Sequence, residues 1–261
     1  MRMRYVPLVA LVLAWLPAIS FAQQQTHVSV KLVLDHVSVE PGASLLVGVF
    51  FEIEPEWHIY WKNPGEAGMA TSVIWTVPEG FSVSEIMWPT PKRFMQDGDI
   101  EGFGYESSAL LMVRVTPPPG FSGSADIKAQ VKWLACKQVC VPGQSSLSKT
   151  VDFGTVGRPA NRETFDEWLK RVPMDLGTSP MKISVVRRGL VYQLTVSGAP
   201  NDAELRVFVA PPDGVTVRRV ERSGDMATVE FARLAGFNVV GKAEIVLQKN
   251  DVSVRVAVSL E

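Results

Sequence analysis

The chain has 261 residues, with 26 Lys and Arg against 27 Asp and Glu, a formal net charge of −1 and 46% hydrophobic residues. A charge this balanced, with no cluster of basic residues, argues against a nucleic-acid partner, and the lack of like-charged blocks argues against a disordered tail. The length and composition suit two domains of ordinary size, each able to bury its own core.

At the start of the chain, Arg2 and Arg4 precede an apolar run over residues 6–16. Pro17 ends that run, and Ser20-Phe21-Ala22 sets small residues where a signal peptidase reads. Residues 1–22 therefore read as a secretory signal peptide with predicted cleavage after Ala22. The run is about 11 residues, well short of the roughly 20 that cross a bilayer. No later stretch is long and apolar enough to span, so the mature chain is expected outside the cytoplasm.

Residues 23–155 read as strands and turns. Val28, Val30, Leu32 and Leu34 alternate with polar neighbours, the period of a half-buried strand. Strand-like runs follow at 44–54, 72–77, 81–87, 109–115, 125–134 and 146–153. Turn chemistry separates them at Pro41-Gly42, Pro64-Gly65, Pro78-Glu79-Gly80 and Pro117-Pro118-Pro119-Gly120. Short strands at this spacing predict an immunoglobulin-like antiparallel β-sandwich.

The period changes in 161–172, where Phe165, Trp168, Leu169 and Val172 form one apolar stripe and Pro173 stops the helix. Residues 156–180 are thus expected to be a helical linker. A second β series follows at 182–186, 190–197, 204–210, 215–222, 227–232, 243–248 and 253–260. It predicts a second, smaller β-sandwich over 181–261, making the whole chain all-β apart from the short helix.

The chain has two cysteines, in the segment Trp133-Leu134-Ala135-Cys136-Lys137-Gln138-Val139-Cys140-Val141-Pro142. In an oxidising compartment such a pair forms a disulfide, which can be a staple or a tool. Closing a loop of about five residues contributes only about 2 kcal/mol, little for a staple. Residues four apart in extended chain lie about 13 Å apart, beyond the roughly 7 Å limit for a disulfide, so the chain must turn sharply between them. A bridge across a tight turn at a strand end is open to a partner thiol. Spacing alone leaves both readings open. CxxxC in β structure lacks the helix N-terminus that lowers a thiol pKa, and Lys137 is the nearby source of positive field.

Two further segments bear on the choice. They are Glu56-Trp57-His58-Ile59-Tyr60-Trp61-Lys62-Asn63-Pro64-Gly65-Glu66-Ala67-Gly68 and Gly102-Phe103-Gly104-Tyr105-Glu106. Together with residues 133–142, in this order, they resemble the N-terminal periplasmic domain of DsbD-type protein-disulfide reductases. The ScsB-like variant (suppressors of copper sensitivity) is the most similar, and the resemblance covers roughly residues 27–155.

The resemblance implies an immunoglobulin-like sandwich in the periplasm that passes electrons by thiol–disulfide exchange. Its partners would be a membrane-embedded DsbD/CcdA-like redox protein or a thioredoxin-like domain on one side and periplasmic thiol–disulfide client proteins on the other. It implies Cys136 and Cys140 as the catalytic pair, with Cys140 the sulfur exposed to partners. Phe103 and Tyr105 would belong to an aromatic cap, while His58 and Tyr60 would line the site. The CxxxC spacing is shorter than in the best-known members, and the family's membrane and C-terminal thioredoxin-like domains have no counterpart in this sequence.

The exchange chemistry needs no cofactor and no metal. Glu106, Asp97 and Asp99 are acidic candidates for assisting proton transfer, and Lys62-Asn63-Pro64-Gly65 reads as a turn. Two other classes stay open. Cys136, Cys140 and His58 with Met69, Met87 and Met95 are soft donors suited to Cu(I), which would make the chain a copper-binding module. A redox-inert interaction module with a structural disulfide is the third reading. The three histidines lack zinc spacing and no Ser-His-Asp context is present, so hydrolysis has no support.

Overall fold

The computed structural model describes residues 27–96, 98–154, 156–197 and 204–260. The signal peptide expected at 1–22 and the candidate Asp97 lie outside the described residues. The described chain is an immunoglobulin-like β-sandwich followed by one short helix and a second, smaller β-sandwich.

The first sandwich packs a four-stranded sheet against a larger one. The smaller sheet runs Val28–Leu34, Leu45–Ile53, Ser108–Thr116 and Ser82–Val83, all antiparallel. The larger is centred on a long hairpin, Gly123–Cys136 with Cys140–Phe153, each strand 14 residues long. Beyond Cys140–Phe153 lie His36–Val39 and Arg158–Pro159. On the other side, Gly123–Cys136 pairs first with Ser72–Thr76 and then, at its end, with His58–Gly65. Ile100–Glu106 and Lys92–Gln96 complete that flank.

Alternation fixes which face is which. In Gly123–Cys136 the residues Ala125, Ile127, Ala129, Val131, Trp133 and Ala135 are buried, while their even-numbered neighbours up to Lys132 are exposed. The odd face fills the core, where the Trp133 ring meets Phe51 edge-on at 6.1 Å. Burying a large side chain of this kind stabilises by about 1.5–3 kcal/mol.

The segment 62–65, expected as a turn, instead continues the strand His58–Gly65. Pairing with Ile100–Glu106 loses register between Tyr60 and Gly65, so Pro64 sits in an irregular stretch where no ladder hydrogen bond is demanded of it. The helix Arg162–Leu169 is shorter than its apolar stripe. Phe165 and Trp168 bury in the first core, and Trp168 meets Phe50 edge-on at 6.4 Å.

The second sandwich has its own core, including Leu194, Val229, Phe231, Ile245 and Leu247. One sheet runs Met174–Asp175, Val252–Ser259, Lys242–Lys249 and Arg206–Ala210. The other runs Lys182–Arg188, Val191–Ser197, Met226–Arg233 and Val215–Ser223. Phe208 and Val246 leave that core and join the first one. No described helix is long and apolar enough to cross a membrane.

Candidate functional site

The two cysteines are the last register pair of the long hairpin, Cys136 opposite Cys140, with Cα atoms 4.1 Å apart and the sulfurs joined in a disulfide. Residues directly opposite in an antiparallel ladder share a face and bring their Cβ atoms close, so the register itself presents the sulfurs to one another. The Lys137 N–H donates to the Val139 carbonyl at 3.1 Å and closes the turn. Val139 at its tip is 64% exposed.

Cys136 breaks the alternation of its strand. By phase it belongs to the outer, even-numbered face, yet it is 1% exposed, whereas Cys140 opposite it is exposed. Something must therefore cover Cys136 from outside the sheet. Register sets His58 beside it: His58 is the cross-strand neighbour of Cys136, and Glu106 that of His58. Cys140, Cys136, His58 and Glu106 thus form one row across four adjacent strands. In the next row Tyr60 lies opposite Gly104, which lies opposite Lys92. His58 and Tyr60 are outer-face residues that are nonetheless buried.

An aromatic cluster gathers on His58. The Phe94 ring lies 4.1 Å from His58 and 5.9 Å from Tyr60, and the His58 and Tyr60 rings meet edge-on at 5.2 Å. His58 Nε2 and the Tyr60 hydroxyl are 3.4 Å apart, and that hydroxyl donates to Gln96 Oε1 at 3.3 Å. Two glycines make room. Phe94 stands opposite Gly102, where a Cβ would come within 2.3 Å of the ring. Gly68, at φ +108°, backs the Tyr60 ring, and a Cβ there would come within 2.4 Å of it.

The electrostatics follow from this burial. Desolvation holds the His58 pKa below its ordinary value, with the charge of Glu106 pulling the other way. Burial raises the Tyr60 hydroxyl, partly offset by its hydrogen bond to Gln96. Both rings are therefore neutral at neutral pH, and His58 stands uncharged beside Cys136 in the register. Lys137 is paired with the exposed Glu56 carboxylate at 2.5 Å, so its charge already has a partner. Glu106 is paired with Lys92 at 3.0 Å.

Of the residues picked from sequence, Cys136, Cys140, His58 and Tyr60 come together. Phe103 and Tyr105 do not. Strand alternation turns them to the face opposite Glu106, where Phe103 meets Phe208 of the second sandwich edge-on at 5.4 Å and the Tyr105 hydroxyl donates to the Pro89 carbonyl at 2.8 Å. Burial holds the Tyr105 hydroxyl far above its ordinary range, with the Glu244 carboxylate adding to the shift. The aromatic over the site is Phe94, with Gln96 beside it, and neither was singled out. The available signal was Gly102-x-Gly104, two missing side chains on one face of a strand, which leave a seat for a ring from the neighbouring strand.

As donors for copper, the methionines do not gather here. Met69 and Met95 are exposed, and Met87 bridges through its backbone to Met112 on the other sheet. Among the described residues no group of three or more His, Cys, Asp or Glu stands at metal-binding spacing.

Residues 25–152 match the family model of the thiol:disulfide interchange protein DsbD, N-terminal domain. The first half of the chain belongs to that family. Among solved structures, the N-terminal periplasmic domain of ScsB from Proteus mirabilis aligns over 88% of this chain and 92% of its own, at 21% identity and a TM-score of 0.63. That likeness is one of fold, and it extends beyond the DsbD-type half into the second sandwich. The reduced DsbD N-terminal domain of Neisseria meningitidis aligns over 49% of this chain and 90% of its own, at 11% identity and a TM-score of 0.29. Among curated proteins none matches the chain significantly. A DsbD-type domain with its cysteine pair at disulfide distance is a thiol–disulfide exchange module.

Proposed function

We propose that this protein is a periplasmic electron relay, in which the Cys136–Cys140 pair takes two electrons from a dithiol donor and delivers them to disulfide-bonded client proteins. The observation that carries the reading is the asymmetry of the pair: Cys140 is exposed, while Cys136 is 1% exposed and stands opposite His58 of the neighbouring strand. An exchange site needs one sulfur that a partner can reach and one sheltered sulfur that resolves the link.

In the reductive half, a donor thiolate attacks Cys140 Sγ, the Cys136–Cys140 bond breaks, and Cys136 leaves as a thiolate that takes up a proton. A second donor thiolate attacks the donor sulfur of the mixed disulfide, which frees Cys140 as a thiolate and leaves the donor oxidised. In the delivering half, the Cys140 thiolate attacks a client disulfide and expels one client thiolate. Cys136, deprotonated, then attacks Cys140 Sγ, re-forms the pair and releases the client as a dithiol. Two electrons, with two protons, pass from donor to pair in the first half and from pair to client in the second.

The donor would be a membrane-embedded DsbD/CcdA-like protein or a thioredoxin-like domain, and the clients thiol–disulfide proteins of the periplasm. Family membership and the periplasmic origin of the ScsB domain support that compartment, as does the leader expected at 1–22. Phe94, His58 and Tyr60 exclude water and stray thiols from Cys136 between encounters.

The test is an equilibrium titration of the disulfide in defined thiol buffers. A potential between about −180 and −270 mV, the span of known exchange proteins, supports the relay; one well below about −300 mV marks a structural bridge and sinks it. A Cys136→Ala variant is expected to accumulate mixed disulfides through Cys140.

A further inference from the structure

The second sandwich carries no cysteine, and the exchange chemistry makes no direct use of it. Several of its contacts with the DsbD-type half fall on or beside the strands that bear the site. Phe208, on Arg206–Ala210, meets Trp61 edge-on at 6.4 Å and Phe103 at 5.4 Å. The Asn63 side-chain amide donates to the Val209 carbonyl at 2.6 Å. Lys62 pairs with Glu244 at 2.7 Å, and Thr90 donates to Ser253 at 2.6 Å. Thr90 leads directly into Lys92–Gln96, the strand that carries Phe94. Trp61, Lys62 and Asn63 follow His58 and Tyr60 on their strand, and Phe103 sits between Gly102 and Gly104.

A strand has two faces and little give between them. Phe103 points back to Phe208, and its neighbour Gly102 points forward to seat the Phe94 ring. A shift of Phe103 into a void behind the strand carries Gly102 with it and lifts the seat from under Phe94. Close-packed interiors transmit such displacements because they have no slack to absorb them.

We propose that the second sandwich is a brace for the redox site, with Phe208 as its positioning residue: Phe208 holds Phe103, Phe103 fixes Gly102, and Gly102 keeps Phe94 on His58 beside Cys136. The inference rests on the exchange function proposed above. It assigns the second sandwich the task of keeping the cap shut from behind.

The experiment uses the full chain, oxidised, as wild type, Phe208→Ala, Phe208→Leu and Val229→Ala. Val229 lies in the second core and outside the shared one, so its truncation destabilises the second sandwich without opening the space behind Phe103. Two readouts are taken: the rate at which a limiting dithiol reduces Cys136–Cys140, and amide hydrogen exchange over residues 92–106. Losing the two edge-on ring contacts is expected to speed reduction about three- to tenfold in Phe208→Ala, with faster exchange over 92–106. Phe208→Leu, which keeps most of the volume, is expected to fall between, and Val229→Ala to match wild type in both readouts. If Phe208→Ala fails to fold, Phe208→Leu against Val229→Ala decides.

Reduction and exchange at wild-type values in the Phe208 variants, or equal acceleration in Val229→Ala, would overturn the brace. A wild-type disulfide that no exchange-range thiol buffer reduces would instead overturn the relay. The hydrogen-exchange comparison would still decide whether the brace exists.

Discussion

The seat beneath Phe94 can be removed with one methyl group. At Gly102 a Cβ would lie 2.3 Å from Phe94 Cε2 and 2.9 Å from two further ring atoms. Carbon atoms are comfortable at about 3.5–4.0 Å, so the ring must move by more than about 1 Å. The obstacle is the free end of a side chain, which can rotate away without disturbing the backbone. What it forfeits is its contact with His58 at 4.1 Å and with Tyr60 at 5.9 Å. Each such contact contributes about 0.5–1.5 kcal/mol, so the pair contributes about 1–3 kcal/mol. Replacing a strand glycine by alanine returns about 0.5–1 kcal/mol of chain entropy. Gly102→Ala is therefore expected to lower stability by only about 0.5–2 kcal/mol while opening the cap.

Gly104 is the contrasting position two residues on. A Cβ there would lie 1.9 Å from the Ile59 carbonyl oxygen, which is backbone and cannot swing aside. The strands His58–Gly65 and Ile100–Glu106 would have to part, and each ladder group left buried without a partner costs about 1–3 kcal/mol. Gly104→Ala should lose about 3 kcal/mol or more. Urea unfolding measures the stabilities, and alkylation-quenched reduction by a limiting dithiol measures the cap. Gly102→Ala should be reduced about tenfold faster than wild type, the equivalent of about 1.4 kcal/mol of cap closure. Phe94→Ala should match it, and the double variant should go no further, because both act through one ring. Reduction of Gly102→Ala at the wild-type rate, or additive acceleration in the double variant, would refute this account of the cap.

Other expectations follow from the same geometry. After reduction, a limiting alkylating agent should label Cys140 well before Cys136, as read by peptide mass; equal labelling would contradict the burial asymmetry. Because His58 sits below its ordinary pKa, the unfolded chain takes up a proton first as pH falls below about 6.5, so stability should decline from there until the folded-state pKa is reached. Urea midpoints across that window should show the decline in wild type and a flatter curve in His58→Gln. The Lys137–Glu56 pair is exposed, so Glu56→Gln should change unfolding free energy by less than about 1 kcal/mol; a larger loss would mean that the pair fixes the cysteine turn.

Much of the scaffold was legible because its strands alternate. The run 125–134 announced a strand, and the second sandwich was cleaner still in Val252, Val254, Val256 and Val258, of which the last three are buried. The cysteine hairpin was anticipated in part by the runs 125–134 and 146–153, but the two strands beside it were not. His58–Gly65 contains Pro64-Gly65, and Ile100–Glu106 contains two glycines, so turn chemistry masked both. Around Cys136 the alternation also fails for a physical reason. His58 and Tyr60 are buried on the outer face by Phe94 from a separate hairpin, and both faces of that strand read as apolar. Period alone could not tell that Phe103 and Tyr105 point inward. Register could, since Glu106 opposite His58 fixes the phase of the whole strand.

Whether the disulfide is staple or tool turns on what it restrains. The hairpin is already in register from Gly123 opposite Phe153 up to Ala135 opposite Val141, and the odd side chains of Gly123–Cys136 lock that register into the core. The bridge adds one more link at the end of a ladder that is closed without it. Its entropic contribution, about 2 kcal/mol for so short a loop, is an upper value here, because the chain between the sulfurs forms a tight turn on its own backbone hydrogen bond. Breaking it removes no sheet pairing and no core contact. A bond that closes a ladder already in register suits the proposed relay, in which it would be made and broken with the domain folded. Placing it at a strand end, with one sulfur open and the other buried, gives that exchange a direction.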